Sequence, residues 1–260
     1  MLTLNSKSLQ IPVLASGQGW LAVDKPAGLT VHNEPGHGLC TIARDYIRKK
    51  PALFAPVCPD LDFGIHPVHR LDKETSGILL LAADRETFRF LSLQFDSRSV
   101  KKRYIAILHG PLTDPQTDDG WGVWQWPLAK DSGGRKNPAG AGQKIPCETR
   151  YRIMAQSAHY SLAEIELLTG RKHQIRRHAK LASHPVVGDD RYGSLRAIQF
   201  LKENHGFKRL GLHAQSLTIQ MPGEQGLQTI ETPEIPIQMR ELFEKDRIGD
   251  NKKYLGGKDA

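Results

Sequence analysis

One short acid stands out by its surroundings: Asp72, within His69-Arg70-Leu71-Asp72-Lys73-Glu74-Thr75-Ser76-Gly77-Ile78-Leu79-Leu80-Leu81-Ala82. A charged loop runs straight into the apolar stretch Ile78 to Ala82, opened by Gly77 and closed by Asp84-Arg85-Glu86, which is the pattern of a buried strand. A loop anchored on a core strand can hold a reactive group still. A carboxylate held this way can serve as a nucleophile or as a base. The bland reading is an ion pair of Asp72 with Arg70 or Lys73 on a solvated turn, where such pairs contribute little.

Other segments carry similar mixtures of glycine, basic and aromatic residues. In chain order they are Asp24-Lys25-Pro26-Ala27-Gly28-Leu29-Thr30-Val31-His32, Lys102-Arg103-Tyr104-Ile105-Ala106 and Thr169-Gly170-Arg171-Lys172-His173-Gln174-Ile175-Arg176. His184-Pro185-Val186-Val187-Gly188-Asp189 and Arg209-Leu210-Gly211-Leu212-His213-Ala214 follow. With the Asp72 segment, these resemble the motifs of the RluA-type pseudouridine synthases: HRLD-x-x-TSG, NKP-x-GL-x-VH, K-x-Y-x-A and TGR-x-HQ-hydrophobic-R. The order is the same, over about residues 20 to 222. Asp24 stands where Asn is usual, a departure from the pattern.

The resemblance implies an RNA pseudouridine synthase, an isomerase with no cofactor and no metal. It implies Asp72 as the catalytic carboxylate, Tyr104 as the active-site tyrosine and Arg176 as the guanidinium that keeps a desolvated Asp72 ionised. Arg70 matches the position that inserts into RNA when a uridine is flipped out. Lys102, Arg103, Arg171, Lys172 and Lys180 are candidate phosphate contacts, and Leu212 a candidate apolar wall of the pocket. The implied fold is α/β (α+β): a mixed, mainly antiparallel central sheet flanked by helices, with the active site in a central cleft. The Lys172 to His178 and Glu203 to Leu210 stretches resemble the tRNA-modifying branch more than the ribosomal one, so tRNA is expected ahead of 23S ribosomal RNA.

Composition agrees with such a partner without requiring it. Lys plus Arg number 36 against 28 Asp plus Glu, a formal charge of +8 that favours a polyanion. Cys40, Cys58 and Cys147 are scattered and form no CxxC pair, which fits free thiols in a reducing cytoplasm. No run approaches the roughly eighteen apolar residues a membrane span needs. A cytoplasmic monomer is the default expectation.

The elements that must position these residues can be read coarsely. Residues 1–18 read as a polar lead-in with room for one short strand, too short for an S4-type RNA-binding domain. Residues 19–246 read as one catalytic domain, and 247–260 as a disordered tail. Strands are expected at 19–24, 104–108, 148–154, 161–168 and 211–220. In the fourth, Ala163, Ile165 and Leu167 alternate with Glu164 and Glu166. Helices are expected at 41–50 with Thr41 as N-cap, after Asp84 with Phe88, Leu91 and Phe95 in one stripe, after Gly170, and at 237–243. Lys172, Arg176 and Lys180 would fall together on a face other than the apolar one of Ile175, Ala179 and Ala182. The Gly- and Pro-rich region of about 110–145 reads as a flexible excursion, in which Trp124 and Trp126 share a face if extended. His69 reads as an ordinary surface residue.

Several rival chemistries are excluded. Gly17-x-Gly19-x-x-Ala22 fits a dinucleotide fingerprint, but Pro26 forbids the helix that must follow. Pro146-Cys147 lacks the second cysteine and the H-x-E of a zinc deaminase, and neither His66 with His69 nor His173 with His178 has further ligands nearby. A glycosylase, and a non-catalytic RNA-binding or chaperone protein on the same fold, remain as alternatives. Retention of Asp72, Tyr104 and Arg176 together argues against the latter.

Overall fold

The run expected to be a buried strand is one: Ser76–Ala82 is extended and every residue in it is buried, Leu79, Leu80 and Leu81 completely so. A computed structural model describes residues 2–6, 9–31, 38–113, 115 and 117–246. His32 and the proposed tail of 247–260 lie outside them. In chain order the strands are β1 (Thr3–Ser6), β2 (Leu9–Gly17), β3 (Trp20–Lys25), β4 (His66–Pro67), β5 (Ser76–Ala82), β6 (Lys101–His109), β7 (Gly122–Trp124), β8 (Leu128–Ala129), β9 (Lys144–Ile145), β10 (Thr149–Gln156), β11 (Tyr160–Leu167), β12 (Leu212–Gln220) and β13 (Leu227–Glu231). The helices are α1 (Leu39–Lys49), α2 (Arg85–Asp96), α3 (Gln174–Leu181), α4 (Leu195–Asn204) and α5 (Ile237–Lys245). The fold is α/β with mainly antiparallel pairing, and the chain divides into two compact units, Met1–Lys102 with Ala214–Pro233, and Arg103–His213 with Glu234–Ala260.

In the first unit the strand order is β1-β2-β3-β5-β12, with β13 on β12 and β4 on β5. The lead-in reading of residues 1–18 is corrected here. Leu4 and Ile11 face each other in the β1–β2 ladder and are fully buried, and β2 continues into the sheet by pairing β3. Two short strands punctuated by Pro12 and separated by polar residues leave little periodicity to detect. Ile78, Leu80, Leu91, Leu217, Ile219 and Ile230 share one core. Helix α2 fulfils its expectation: the Asp84 side chain accepts the Thr87 amide, capping the first turn, and Phe88 and Phe95 flank the buried Leu91. Helix α1 starts earlier than expected, at Leu39 after Gly38, so Thr41 is inside the helix and not its cap. The buried stripe is Leu39, Ala43 and Ile47, and burying Leu39 is what draws the extra residues into the helix.

In the second unit β6-β11-β10-β7 form an antiparallel sheet, and β8–β9 a separate pair. Ile105, Ile107, Leu162, Val187, Phe207, Met239 and Phe243 pack in its core. The alternation expected in β11 does not produce a wet face: Glu164 is only 8% exposed, because Arg103 and Arg152 both reach its carboxylate. The 110–145 excursion carries β7, β8 and β9, and its tryptophans do not act as a pair. Trp124 is buried and stacks on Tyr151 at 4.5 Å, while Trp126 is 41% exposed. Trp121 is buried with the Arg150 and Arg152 guanidinium groups each 5.1 Å from its ring.

One glycine is dictated by space. Gly77, at φ 110°, opens β5 where an added Cβ would lie 2.2 Å from the Ala214 carbonyl oxygen of β12. Gly77→Ala should therefore destabilise the protein by about 3 kcal/mol or more through overpacking and backbone strain together, measured by chemical denaturation.

Candidate active site

The Asp72 loop belongs to the first unit and is held from below by a buried ammonium. Lys25, the last residue of β3, is fully buried, and its Nζ donates to the carbonyls of Pro26 at 3.0 Å, Leu29 at 2.9 Å and Lys73 at 3.0 Å. An ammonium has three protons, and three carbonyls receive them. The Lys73 carbonyl also accepts the Gly28 amide at 2.8 Å, and Thr75 N–H donates to the Asp72 carbonyl at 3.1 Å. Thr75 and Ser76 are buried, so the loop is tied at both ends while Asp72 itself stays half-exposed. Lys25 and Gly28 belong to the Asp-Lys-Pro-Ala-Gly segment, whose part is thus to fix the backbone beside Asp72.

His69 is half-buried and held at two points, not an ordinary surface residue. Its Nε2 accepts the Leu80 amide at 3.0 Å and its ring stacks on Phe95 at 4.8 Å. That hydrogen bond places the proton on Nδ1, and desolvation, with Lys102 nearby, pushes the imidazole pKa down to about 3. Arg70, next in sequence, is exposed. Burial and the Arg98 charge lower Lys102 as well.

The second unit holds Tyr104, Arg103, Arg171, Lys172, Arg176, Lys180 and Leu212. Tyr104 is 7% exposed in β6, opposite Ile165 of β11, and Leu212 is buried at the start of β12. Arg103 is engaged with Glu164 at 3.3 Å. The Thr-Gly-Arg-Lys-His-Gln segment turns into α3 through His173, whose φ of 55° is left-handed, an unusual state for a non-glycine cap. Gln174 locks this turn. Its Oε1 accepts the Thr169 hydroxyl at 2.8 Å and the Arg171 amide at 2.9 Å, and its Nε2 donates to the Glu148 carbonyl and the Thr149 hydroxyl, each at 2.9 Å. His173 Nδ1 meets the Tyr192 hydroxyl at 3.0 Å; desolvation first, then Arg176 and Lys172, depress its pKa to about 4.

Helix α3 does not turn its arginines to solvent. Arg176 is 2% exposed and Arg177 fully buried. Lys172 precedes the helix and is exposed, and Arg171 and Lys180 are half-buried. Arg177 donates to five carbonyls: Pro138 from Nε, Ala129 and Lys172 from Nη1, Asp131 and Ala139 from Nη2, at 2.6 to 3.4 Å. A guanidinium carries five N–H groups, so its donors match the acceptors, and the excursion is fastened to the helix. Arg176 lies with Nε and Nη2 along the Asp189 carboxylate, at 2.7 and 2.8 Å, above the Tyr192 ring. Asp189 and Tyr192 received no role from sequence; the Gly188-Asp189 motif was the signal available.

Residues 19–181 match the family model described as RNA pseudouridylate synthase. The chain is 32% identical over 231 residues to a tRNA pseudouridine synthase C of Haemophilus ducreyi, covering 82% of this chain and 87% of that protein. To a ribosomal large subunit pseudouridine synthase C of Vibrio vulnificus it is 33% identical over 240 residues, covering 91% of this chain and 68% of that one. Among solved structures, human RNA pseudouridylate synthase domain containing 1 superposes with a TM-score of 0.66 at 22% identity, over 86% of this chain and 83% of that one. The chain belongs to the RNA pseudouridylate synthase family. It is an isomerase that converts uridine in RNA to pseudouridine, and these relatives give no support to a non-catalytic binding protein on the same fold.

Two expectations follow from the loop and the desolvated imidazoles. Lys25→Met should leave RNA affinity near wild type but lower kcat about tenfold, because the backbone beside Asp72 loses its anchor; single-turnover kinetics and RNA binding on the same variant check it. His69, His173 and His213 are neutral when folded, with pKa values pushed to about 3, 4 and 3, against 6.5 when unfolded. Unfolding then takes up protons below pH 6.5, so stability is full above that pH and falls as pH drops toward 3 to 4. Each group contributes a slope of up to about 1.4 kcal/mol per pH unit. Denaturation from pH 7 to 4.5 should show the slope, and His69→Asn should flatten it by about one proton.

Proposed function

We propose that this synthase acts on a uridine of tRNA, with Asp72 as its catalytic carboxylate, and that 23S ribosomal RNA is the second candidate. The observation that carries the assignment of residues is that the family match, residues 19–181, contains Asp72, Tyr104 and Arg176 together. The tRNA preference is supported by the resemblance of the His173 and Asn204 regions to the tRNA-modifying branch and by the relative named for tRNA that spans most of both chains. A relative of similar identity named for the large ribosomal subunit makes ribosomal RNA the alternative.

The chemistry needs few parts. The N1–C1′ bond breaks, uracil turns, C5 bonds to C1′, and C5 loses a proton while N1 gains one, so atoms are conserved and no donor enters. Asp72 acts at C1′ as nucleophile or as base toward the sugar. Arg176 supplies the charge that keeps this carboxylate ionised once RNA displaces water. Tyr104 stacks on the displaced uracil and offers its hydroxyl for proton transfer. A uridine must leave its stack to reach these groups, and exposed Arg70, two residues before Asp72, fills the space or holds a phosphate. Exposed Lys172 is the best placed phosphate contact, with Arg171, Lys180 and Lys102 half-exposed; Arg103 would first have to leave Glu164. Among the described residues no helix is long and apolar enough to cross a membrane. A monomer working in the cytoplasm completes the reading.

Pseudouridine mapping on tRNA and 23S transcripts, with wild-type protein and Asp72→Ala, tests it. New pseudouridine in tRNA with wild type alone is expected; modification of 23S alone would move the substrate, and activity in Asp72→Ala would remove that residue's role. Tyr104→Phe should fold and bind RNA yet lose roughly 10²- to 10⁴-fold in turnover, the range of a lost acid–base group.

A further inference from the structure

We infer that Asp189 and Tyr192 are positioning residues for catalysis, forming a cradle that fixes the direction in which the Arg176 guanidinium points. This rests on the reading of Arg176 as the counter-charge of Asp72. The Arg176–Asp189 pair is nearly dry, with the two side chains 2% and 0% exposed. Both bonds use the Nε–Nη2 edge of the guanidinium, at 2.7 and 2.8 Å, so a planar group is held along one edge and its Nη1 end can aim in only one direction. Asp190 adds a 3.3 Å contact to Nη2 from a largely exposed carboxylate.

Asp189 is itself immobilised. Its Oδ1 accepts the amides of Arg191 and Tyr192, each at 3.0 Å, and its carbonyl accepts the Gly193 amide at 2.9 Å. The carboxylate thus closes the 189–193 turn with one oxygen while gripping Arg176 with both. Gly193 is required there, because a Cβ would stand 2.4 Å from the Asp189 carbonyl oxygen.

The floor of the cradle is Tyr192, fully buried, with its ring centre 5.5 Å from the Arg176 guanidinium carbon. Its hydroxyl donates to the Ser132 carbonyl at 2.7 Å and so accepts from His173 Nδ1 at 3.0 Å. Ser132 lies in the excursion that Arg177 fastens through four of its carbonyls and that Arg191 grips at the Gly133 carbonyl. Arg135 reaches back from the excursion to the carbonyls of Asp190 and Gly193. The excursion and the 189–193 turn therefore support each other behind Arg176. A structure serving only stability would not need a buried carboxylate here, since an apolar pair of similar volume is commonly as stable.

The test compares Arg176→Ala, Asp189→Asn, the double variant and Tyr192→Phe, reading kcat under single turnover, RNA affinity and thermal stability. Asp189→Asn should lower kcat tenfold or more with RNA affinity within about twofold, and adding it to Arg176→Ala should cost nothing further in kcat. Tyr192→Phe keeps the ion pair and the ring and loses only the hydroxyl; a severalfold fall in kcat with unchanged affinity is expected. It also tests the inference should Asp189→Asn not fold, and in that case wild-type kcat in Tyr192→Phe overturns it. Additive losses in the double variant, or wild-type kcat in Asp189→Asn while Arg176→Ala is impaired, overturn the cradle and leave the reading of Arg176 standing. Wild-type kcat in Arg176→Ala would remove both.

Discussion

A cation taken out of water must be given acceptors in full, and three side chains among the described residues of this fold show it. Lys25, Arg176 and Arg177 are at most 2% exposed. Lys25 meets three carbonyls, Arg177 five, and Arg176 a carboxylate pair and an aromatic face. Leaving such a group unpaired costs several kcal/mol, so each one dictates the path of the backbone around it. The loop beside Asp72, the course of residues 129–140 and the 189–193 turn are shaped by those demands. Hydrophobic burial builds the sheets; the buried charges settle where the irregular segments lie.

This division explains what could be read from sequence. Apolar periodicity reports burial, so β5, β11 and α2 with its Asp84 cap were legible. Residue types at motif spacing also reported the family and its likeness in fold. Periodicity is silent about charge satisfaction, and α3 shows the consequence: a stretch reading Arg-Lys-His-Gln-Ile-Arg-Arg-His looks solvated, yet His178 is bound by Thr149 and the Trp126 carbonyl and both arginines are interior. Apart from the Lys172 carbonyl, the acceptors of the two arginines lie 13 to 48 residues away in the chain, which no local pattern encodes. Helix α4 escaped for the opposite reason, since it buries only Leu201 and leaves Leu195 and Phe200 in water.

The candidate site shows the same split. The identities of Asp72, Tyr104 and Arg176 were visible as words in a motif, whereas the roles of Lys25, Gln174, Asp189 and Tyr192 became visible only through their contacts. Gln174 is instructive: both ends of its amide are engaged, two bonds each, and a left-handed His173 is held beside it. Strain of this kind persists only where surrounding bonds over-determine it. Gln174 itself carries no reactive group, and so nothing in its type announces it.

The interleaved order of the two units also has a consequence in time. The sheet of the first unit takes β12 and β13 from residues 214–233, whereas its other strands end before residue 103. At about 5–20 residues per second of synthesis, the intervening segment takes on the order of ten seconds to emerge. Throughout that interval β5, the apolar strand that follows the Asp72 loop, leaves unpaired the part of its edge that β4 does not cover and β12 will take. The nascent chain must survive with its central strand half-dressed, which makes the birth of the protein, rather than its finished state, the moment of greatest exposure to aggregation.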